Sequence, residues 1–558
     1  GHTLTLNTAI TSLKAENIYL AENDNSSSST SSTGKLVAQG VDVTSTNKLW
    51  VKNAKIEMGG GTLSLEKGGG LGENGEIDLS NSTLELAGPF LNDGGTLTTS
   101  ASTLKLKANV LFRLGNVVTF DTYEPNGWGL LLYNNQNTGT VKSLTLGTNN
   151  SNIALEPNTD SLTSGFVSWY HSDNNTEFVS GNHDIGIESN DGSLTINGNL
   201  TLKDNATITS NYGEAELGNL TLENGNIVAN KAALSLAGGT VGTNGQINVG
   251  NESELELQGD LSVTGELNLD SQSILDLAGN TLELSGGKFS ATDDQELAGT
   301  LSITGDSELS ISPGNTLELN QTGGLSLGAN TLTLGGGGSL VSGGITLNDV
   351  DSKLLLNSIT LDRVSTTSDS LGLDVDADST VTSLLVANIT PVSIASGSSL
   401  PGGITVSAGS IKLNETGTLA STISMSGGVL DADNSLTVSG ALTHTGNITL
   451  DVAETKTLTY TGDGINLGAN TMTLSGGGSL NNTNALVLSD PESKLLLNWI
   501  TVDNVSTTSD SLGLDVDADS TVTSLTVANI TPVSIASNKT LSGAITVTAC
   551  PVKLNVVP

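Results

Sequence analysis

Three aspartates alternate in the stretch Leu373-Asp374-Val375-Asp376-Ala377-Asp378, and Asp515, Asp517 and Asp519 repeat them further along the chain. On a strand, alternate residues share one face and stand about 7 Å apart. Each trio is therefore expected to present a row of carboxylates while Leu373, Val375 and Ala377 point inward. Carboxylate oxygens are the ligands Ca²⁺ takes, so calcium is the one cofactor these residues suggest. The alternative is a solvated acidic face, and Glu252, Glu254 and Glu256 form a similar stripe with the same two readings. Gly69-Gly70-Leu71-Gly72-Glu73-Asn74 has the form of a single calcium-binding nonapeptide with Asn74 where an acid is expected. Calcium rolls share their sites between successive turns, so one imperfect copy makes no roll.

Other chemistry is thinly provided. The four histidines (His2, His171, His183 and His444) show no metal spacing, and there are two arginines, Arg113 and Arg363. Acid pairs are plentiful, but a glycosidase or lyase needs titratable groups held apart in pKa across a cleft, with basic partners beside them. No nucleophile elbow or phosphate-cradling glycine loop appears, and the chain reads as a non-enzyme. Sugar binding is better supplied. Trp128, Tyr133, Trp169, Tyr170 and His171 offer flat faces for sugar C–H groups, with Asp121 and Asp173 close by in sequence for hydroxyls. These lie in Val110–His183, which holds nine of the sixteen aromatics and departs from the pattern around it. It is expected to be an aromatic-rich insertion or a set of irregular coils, and long loops on a regular scaffold often carry the specific contacts.

The elements that position these residues follow from a repeat. Val364–Leu384 recurs unchanged as Val505–Leu525, and Leu325–Leu340 is answered by Ile465–Leu480. The unit is about 140 residues long with a one-residue slip after Leu340. Inserting such a length in a closed core would disrupt it, whereas a stack of short coils is only lengthened, because each layer touches its neighbours alone. In the array Gly198–Leu340, apolar-polar-apolar triplets begin at Leu255, Leu261, Leu267, Leu275 and Leu282, and again at Leu301, Leu309, Leu317, Leu325 and Leu332. The triplets are period-two strands too short and too closely spaced for helices, and Gly, Asn, Asp and Ser between them suit tight turns. A β-sandwich would use longer strands and a larger aromatic core residue.

The expected fold is all-β, a parallel β-helix (β-solenoid) with coils of about 20–24 residues, three strands to a coil. Roughly 25 coils stacked about 4.8 Å apart would give a rod on the order of 120 Å long. The expected segments are N-terminal coils over 1–109, the insertion over 110–190, and further coils over 191–324. The first copy of the repeat covers 325–464 and a second, incomplete copy covers 465–558.

Composition limits the partners. The 558 residues carry 20 basic against 58 acidic groups, a net charge of −38, which excludes nucleic acid and disfavours anionic membranes. Cys550 is the lone cysteine, so no intrachain disulfide exists. No apolar run of ~18 residues is present to cross a bilayer as a helix. The chain opens at Gly1 without a basic-plus-apolar leader and closes before the second repeat is complete, so a mature or cut piece of a longer protein is expected. Asn-x-Ser/Thr triplets at Asn81, Asn199, Asn205, Asn219, Asn388, Asn447 and Asn529 are compatible with surface glycosylation.

Phrases such as Leu277-Ala278-Gly279-Asn280-Thr281-Leu282-Glu283-Leu284 and Leu327-Gly328-Ala329-Asn330-Thr331-Leu332 give the chain its texture. In them it resembles the β-helical surface proteins of bacteria, the filamentous-haemagglutinin-type adhesins and autotransporter passengers. The resemblance covers most of the chain outside Val110–His183 and implies secretion to the cell surface, a stalk-like shape and attachment to cells, surfaces or matrix glycans. No RGD tripeptide or recognisable secretion domain accompanies it. A second expectation is a structural subunit that self-associates end to end or laterally into an extracellular fibre or sheath, and a third is a polysaccharide-degrading β-helix enzyme.

Overall fold

Alternation of apolar and polar residues decides the local structure. In Thr83-Leu84-Glu85-Leu86 both leucines are fully buried, while Thr83 and Glu85 lie on the outer side. Leu84 sits in register with Leu63 of the coil before and Leu104 of the coil after, and every contact along this ladder is parallel. Parallel rungs repeat every 4.7–4.9 Å, close enough for aliphatic side chains to fill the interior without voids. Burying each such leucine contributes about 1.5–3 kcal/mol.

The computed structural model describes residues 2–6, 9–21, 34–114, 116–126, 128–134, 143–146, 152–155, 186–190, 193–203, 205–414, 418–549 and 552–556. All regular elements among them are β-strands. They form two compact units, Gly1–Glu283 and Leu284–Pro558, and each is a parallel β-solenoid.

In the first unit, Thr83–Leu86, Phe90–Asn92 and Thr96–Thr98 make the three sides of one coil. The next coil begins at Thr103, directly over Thr83. Ile227, Ile247 and Leu267 stack twenty residues apart in the same way. Corners use left-handed residues, Asn81 (φ 57°), Gly94 (φ 102°) and Ala101 (φ 52°) for this coil. Asparagine also works from inside. Asn92 is buried, accepts the Gly95 N–H at 2.9 Å, and donates to Asn116 at 3.1 Å, whose amide donates in turn to the Leu97 carbonyl at 3.1 Å. Such side chains supply the corner backbone with partners that the ladders cannot reach.

The expected break at Val110 is not a break in the coils. Val110–Leu114, Val118–Phe120, Thr122–Glu124 and Leu130–Asn134 are coil strands in register with their neighbours. Phe112, Phe120 and Tyr123 point into the core. Phe112 stacks on Phe90 with centroids 5.1 Å apart and meets Phe120 edge-on at 6.5 Å. Aromatic rings here take the place of leucines on the inward row, so the enrichment in aromatics is absorbed by the core of these coils. Residues 156–185 lie outside the described part of the structure.

In the second unit, Leu332, Leu354 and Leu373 stack in turn, the coil shortening from 22 to 19 residues. The two copies of the repeat are held by matching bonds. Ser352 is buried and donates to the Gly328 carbonyl at 2.5 Å; its counterpart Ser493 donates to Gly468 at 2.5 Å. Lys353 pairs with Asp374 at 2.5 Å, and Lys494 with Asp515 at 2.6 Å. The copies differ at a corner. Ser342 and Asn482 are both fully buried, but Asn482 clasps Asn504 of the next coil. It accepts the Asn504 N–H at 3.1 Å and donates to the Asn504 carbonyl at 2.7 Å, where the first copy has Arg363.

Candidate functional site

The first aspartate row does not survive folding as a row. Leu373 and Val375 are buried, and Asp374 faces outward to its ion pair with Lys353. A bulge then intervenes, because Leu356 pairs with Val375 while the next residue, Asn357, pairs with Ala377. Asp376 is the extra residue. Asp378 lies beyond the end of Gly372–Ala377, and its carboxylate accepts the Ser399 N–H at 2.7 Å and the Ser399 hydroxyl at 3.0 Å.

The second row is divided in the same manner. Asp515 pairs with Lys494, and the strand Gly513–Val516 ends before Asp517. Asp519 accepts the Thr540 N–H at 2.8 Å and the Thr540 hydroxyl at 3.0 Å, and these bonds, the hydroxyl's first, hold its carboxyl below the usual range. Among the described residues no three His, Cys, Asp or Glu side chains gather so as to hold a metal ion. Asp374, Asp376, Asp378, Asp515, Asp517 and Asp519, the residues expected to hold calcium, are thus not gathered into one group in either copy. A bulge in the first copy and the end of the strand in the second set the three acids of each trio apart, and two of the three already serve a neighbouring coil. The glutamate stripe divides likewise, with Glu252 at a left-handed corner (φ 57°) paired to Lys231 at 3.4 Å.

Carboxylates do meet on the strand Val429–Ala432. Asp431 stands in register with Asp451 and pairs with Lys412 at 3.6 Å. Burial above all, then Asp433, pushes its carboxyl above the usual range against the pull of Lys412, and Asp451 adds to the rise.

Of the five residues expected to bind glycans, Trp169, Tyr170 and His171 lie outside the described residues. Trp128 is a half-buried corner residue whose N–H donates to the Pro125 carbonyl at 3.0 Å. Tyr133 belongs to the strand Leu130–Asn134, in register with Arg113. Following that register backward gives a row one residue wide along a single side of the unit: Tyr133, Arg113, Leu91, Gly70, Trp50 and Tyr19.

The strand Asp42–Lys52 puts Lys48, Trp50 and Lys52 on its outer side, because Leu49 and Val51 between them are fully buried. Trp50 lies over the next coil, which there has no side chains. A Cβ on Gly70 would come within 2.9 Å of the indole Cζ3 and overlap the Leu91 carbonyl, and one on Gly72 would stand 3.3 Å from Cζ2. The six-membered ring thus spans the two glycines, and Gly69–Asn74 forms a floor for Trp50. On the coil before, Tyr19 is 62% exposed. Of the acids bordering this side, Glu66 pairs with Lys14 at 3.3 Å and Asp93 with Arg113 at 2.6 Å, while Glu73 beside Gly72 and Lys48 are exposed. A face with an indole between two lysines therefore stands on a protein whose net charge is −38.

Sequence reasoning missed Tyr19, Lys48, Trp50 and Lys52. The alternation in Asn47-Lys48-Leu49-Trp50-Val51-Lys52 was the available signal for the strand's outer face. Its position over Gly70 and Gly72, twenty residues on, depended on register. Compared with known proteins, the chain matches no family model, no curated protein and no solved structure.

Proposed function

We propose that the chain is a non-enzymatic extracellular or cell-surface β-solenoid that serves as an adhesin stalk or passenger, attaching to surfaces, cells or matrix glycans. The observation that carries this reading is how the repeat varies. Buried serines, ladder register and ion pairs recur between the copies. One outer position changes markedly: Ser358 (φ 60°) becomes Trp499 (φ 59°), half exposed and resting on Gly477, with the backbone unaltered. A scaffold that presents surface groups is built this way, since doubling a length of wall multiplies display positions. The test is retention of the purified chain on cells and on glycan-coated surfaces, beside digestion assays on a polysaccharide panel with calcium. Retention without products is expected. Reducing ends or unsaturated sugars, or no retention anywhere, would overturn the reading.

A further inference from the structure

We infer that one corner of the second unit, built twice, is a pair of docking sites for a basic protein segment that carries aliphatic side chains between its lysines or arginines. The corner lies where the chain enters Gly372–Ala377 in the first copy of the repeat and Gly513–Val516 in the second. Ten large apolar side chains are exposed among the described residues of Leu284–Pro558, and five of them gather here: Val350, Leu371 and Ile389, then Leu512 and Ile530. Pro491, also exposed, stands where the first copy has Val350. Contiguous exposed apolar surface marks a contact site.

At this corner the alternation runs against burial. Ser370 and Ser511 are inside, each hydroxyl without a hydrogen-bond partner among the described residues, while Leu371 and Leu512 are outside, each 50% exposed. Exchanging serine and leucine would suit the core better, so the leucines are placed for something other than folding. Gly372 (φ 81°) and Gly513 (φ 92°) fix the arrangement, since a Cβ on either would overlap the carbonyl of Pro391 or Pro532 in the next coil. Ile389 and Ile530 follow one coil later, each donating its N–H at 3.0 Å to Asp369 or Asp510 of the coil before. The two corners belong to one ladder, seven rungs apart, about 34 Å along the stack.

The rim is acidic in both copies. Asp351 and Glu492 are exposed, and their carboxylates have no partner among the described residues. Asp349 and Asp490 each accept the N–H two residues on, at 3.1 and 2.9 Å. Lys353, Lys412 and Lys494 on the outgoing strands are paired with Asp374, Asp431 and Asp515. Arg363 on the incoming strand is Asn504 in the second copy, and Lys553 is the counterpart of Lys412 on the outermost described coil. A second copy of this chain would bring the same acids to the contact, in a unit with 26 acidic against 8 basic residues, and an anionic lipid surface would be repelled likewise. The exposed side chains are aliphatic, without the flat ring a sugar stacks on. A polypeptide bearing aliphatic and cationic side chains suits both the apolar ridge and its rim, and this contact is separate from attachment to glycans.

The probe is an alternating leucine–lysine octapeptide, titrated calorimetrically into the full chain, with leucine–glutamate and serine–lysine analogues as controls. The wild type is expected to take two peptides per chain. Leu371→Ser is expected to leave one site of unchanged affinity, and Leu371→Ser with Leu512→Ser to weaken binding by about tenfold or more. Asp351→Lys with Glu492→Lys, at exposed positions, is expected to weaken it as much, which keeps the test open if the serine variants fold poorly. Each analogue is expected to bind more weakly by about tenfold or more. A stoichiometry other than two, an unaffected double variant, an acidic analogue that binds equally, or no binding would overturn the sites. Sedimentation that shows the wild type as a dimer, and Leu371→Ser with Leu512→Ser as a monomer, would also overturn them, by giving the corner to a second copy. Retention of that double variant on glycan-coated surfaces is expected to match wild type, so loss of docking and loss of attachment are read separately.

Discussion

The corner at Asn482 offers a measurement in which the chain carries its own control. Replacing Asn482 by Ala removes three hydrogen bonds: those to the Asn484 carbonyl (2.9 Å), the Asn504 carbonyl (2.7 Å) and from the Asn504 N–H (3.1 Å). Each is worth about 1 kcal/mol net, so local opening becomes easier by about 3 kcal/mol. The equivalent Ser342 accepts one long bond, from the Gly344 N–H at 3.3 Å, and Ser342→Ala is expected to cost less than about 1 kcal/mol. Global unfolding is the wrong probe, since stacked repeats need not melt as one cooperative unit. Native-state hydrogen exchange reads the corner directly. In Asn482→Ala the Asn504 amide is expected to lose protection on the order of 100-fold, while Ser342→Ala changes its neighbours by less than about fivefold. An Asn504 amide within threefold of wild type, or equal effects in the two copies, would refute the account of the corner.

Three further outcomes follow from the same structure. The Tyr123 hydroxyl is buried without a hydrogen-bond partner among the described residues, and burial pushes its phenol well above its usual range. Tyr123→Phe should raise local stability by about 1 kcal/mol in native-state hydrogen exchange of its coil, and a loss would mean the hydroxyl has a partner. Asp431 has a raised folded pKa, so its stabilising contribution is complete below the unfolded value and is lost as pH rises through the folded one. Asp431→Asn should therefore be more stable than wild type at neutral pH, with the gap closing near pH ~4; a gap that widens on acidification would reverse the sign argued here. Leu354 and Leu495 are fully buried at equivalent rungs, and replacing either by Ala should cost about 2–5 kcal/mol, with local exchange showing whether the two costs agree.

Much of the fold was legible because its grammar is local. Thr83–Leu86 and Leu354–Leu356 announce strand, inward face and outward face by alternation alone, and the exact recurrence of Val364–Leu384 announces a stack. Composition misled at Val110–Asn134. There Val110 and Phe112 keep the inward alternation, but a count of aromatics hides it. The carboxylate row was misjudged for a related reason. Period two holds only while the ladder does, and the bulge at Asp376 leaves no mark in the sequence. The site was least legible of all. Trp50 meets Gly70 and Gly72 only because the coil closes after about twenty residues, and a tight glycine cluster reads as a motif of its own until its upstairs neighbour is known.

The ladder of Leu284–Pro558 also determines how that unit would answer to force. Its backbone hydrogen bonds run from coil to coil, so the outermost coil of any such stack is held by one neighbour alone. Tension applied to the end of the chain therefore loads one rung at a time, as in a zipper, and never shears a whole sheet at once. Each coil that peels away frees about twenty residues, roughly 65–70 Å of extended chain, against a loss of about 4.8 Å of stack. A tether made of such coils yields in small, repeated steps, dissipating work while the remaining rungs keep their register and can take the loosened coil back.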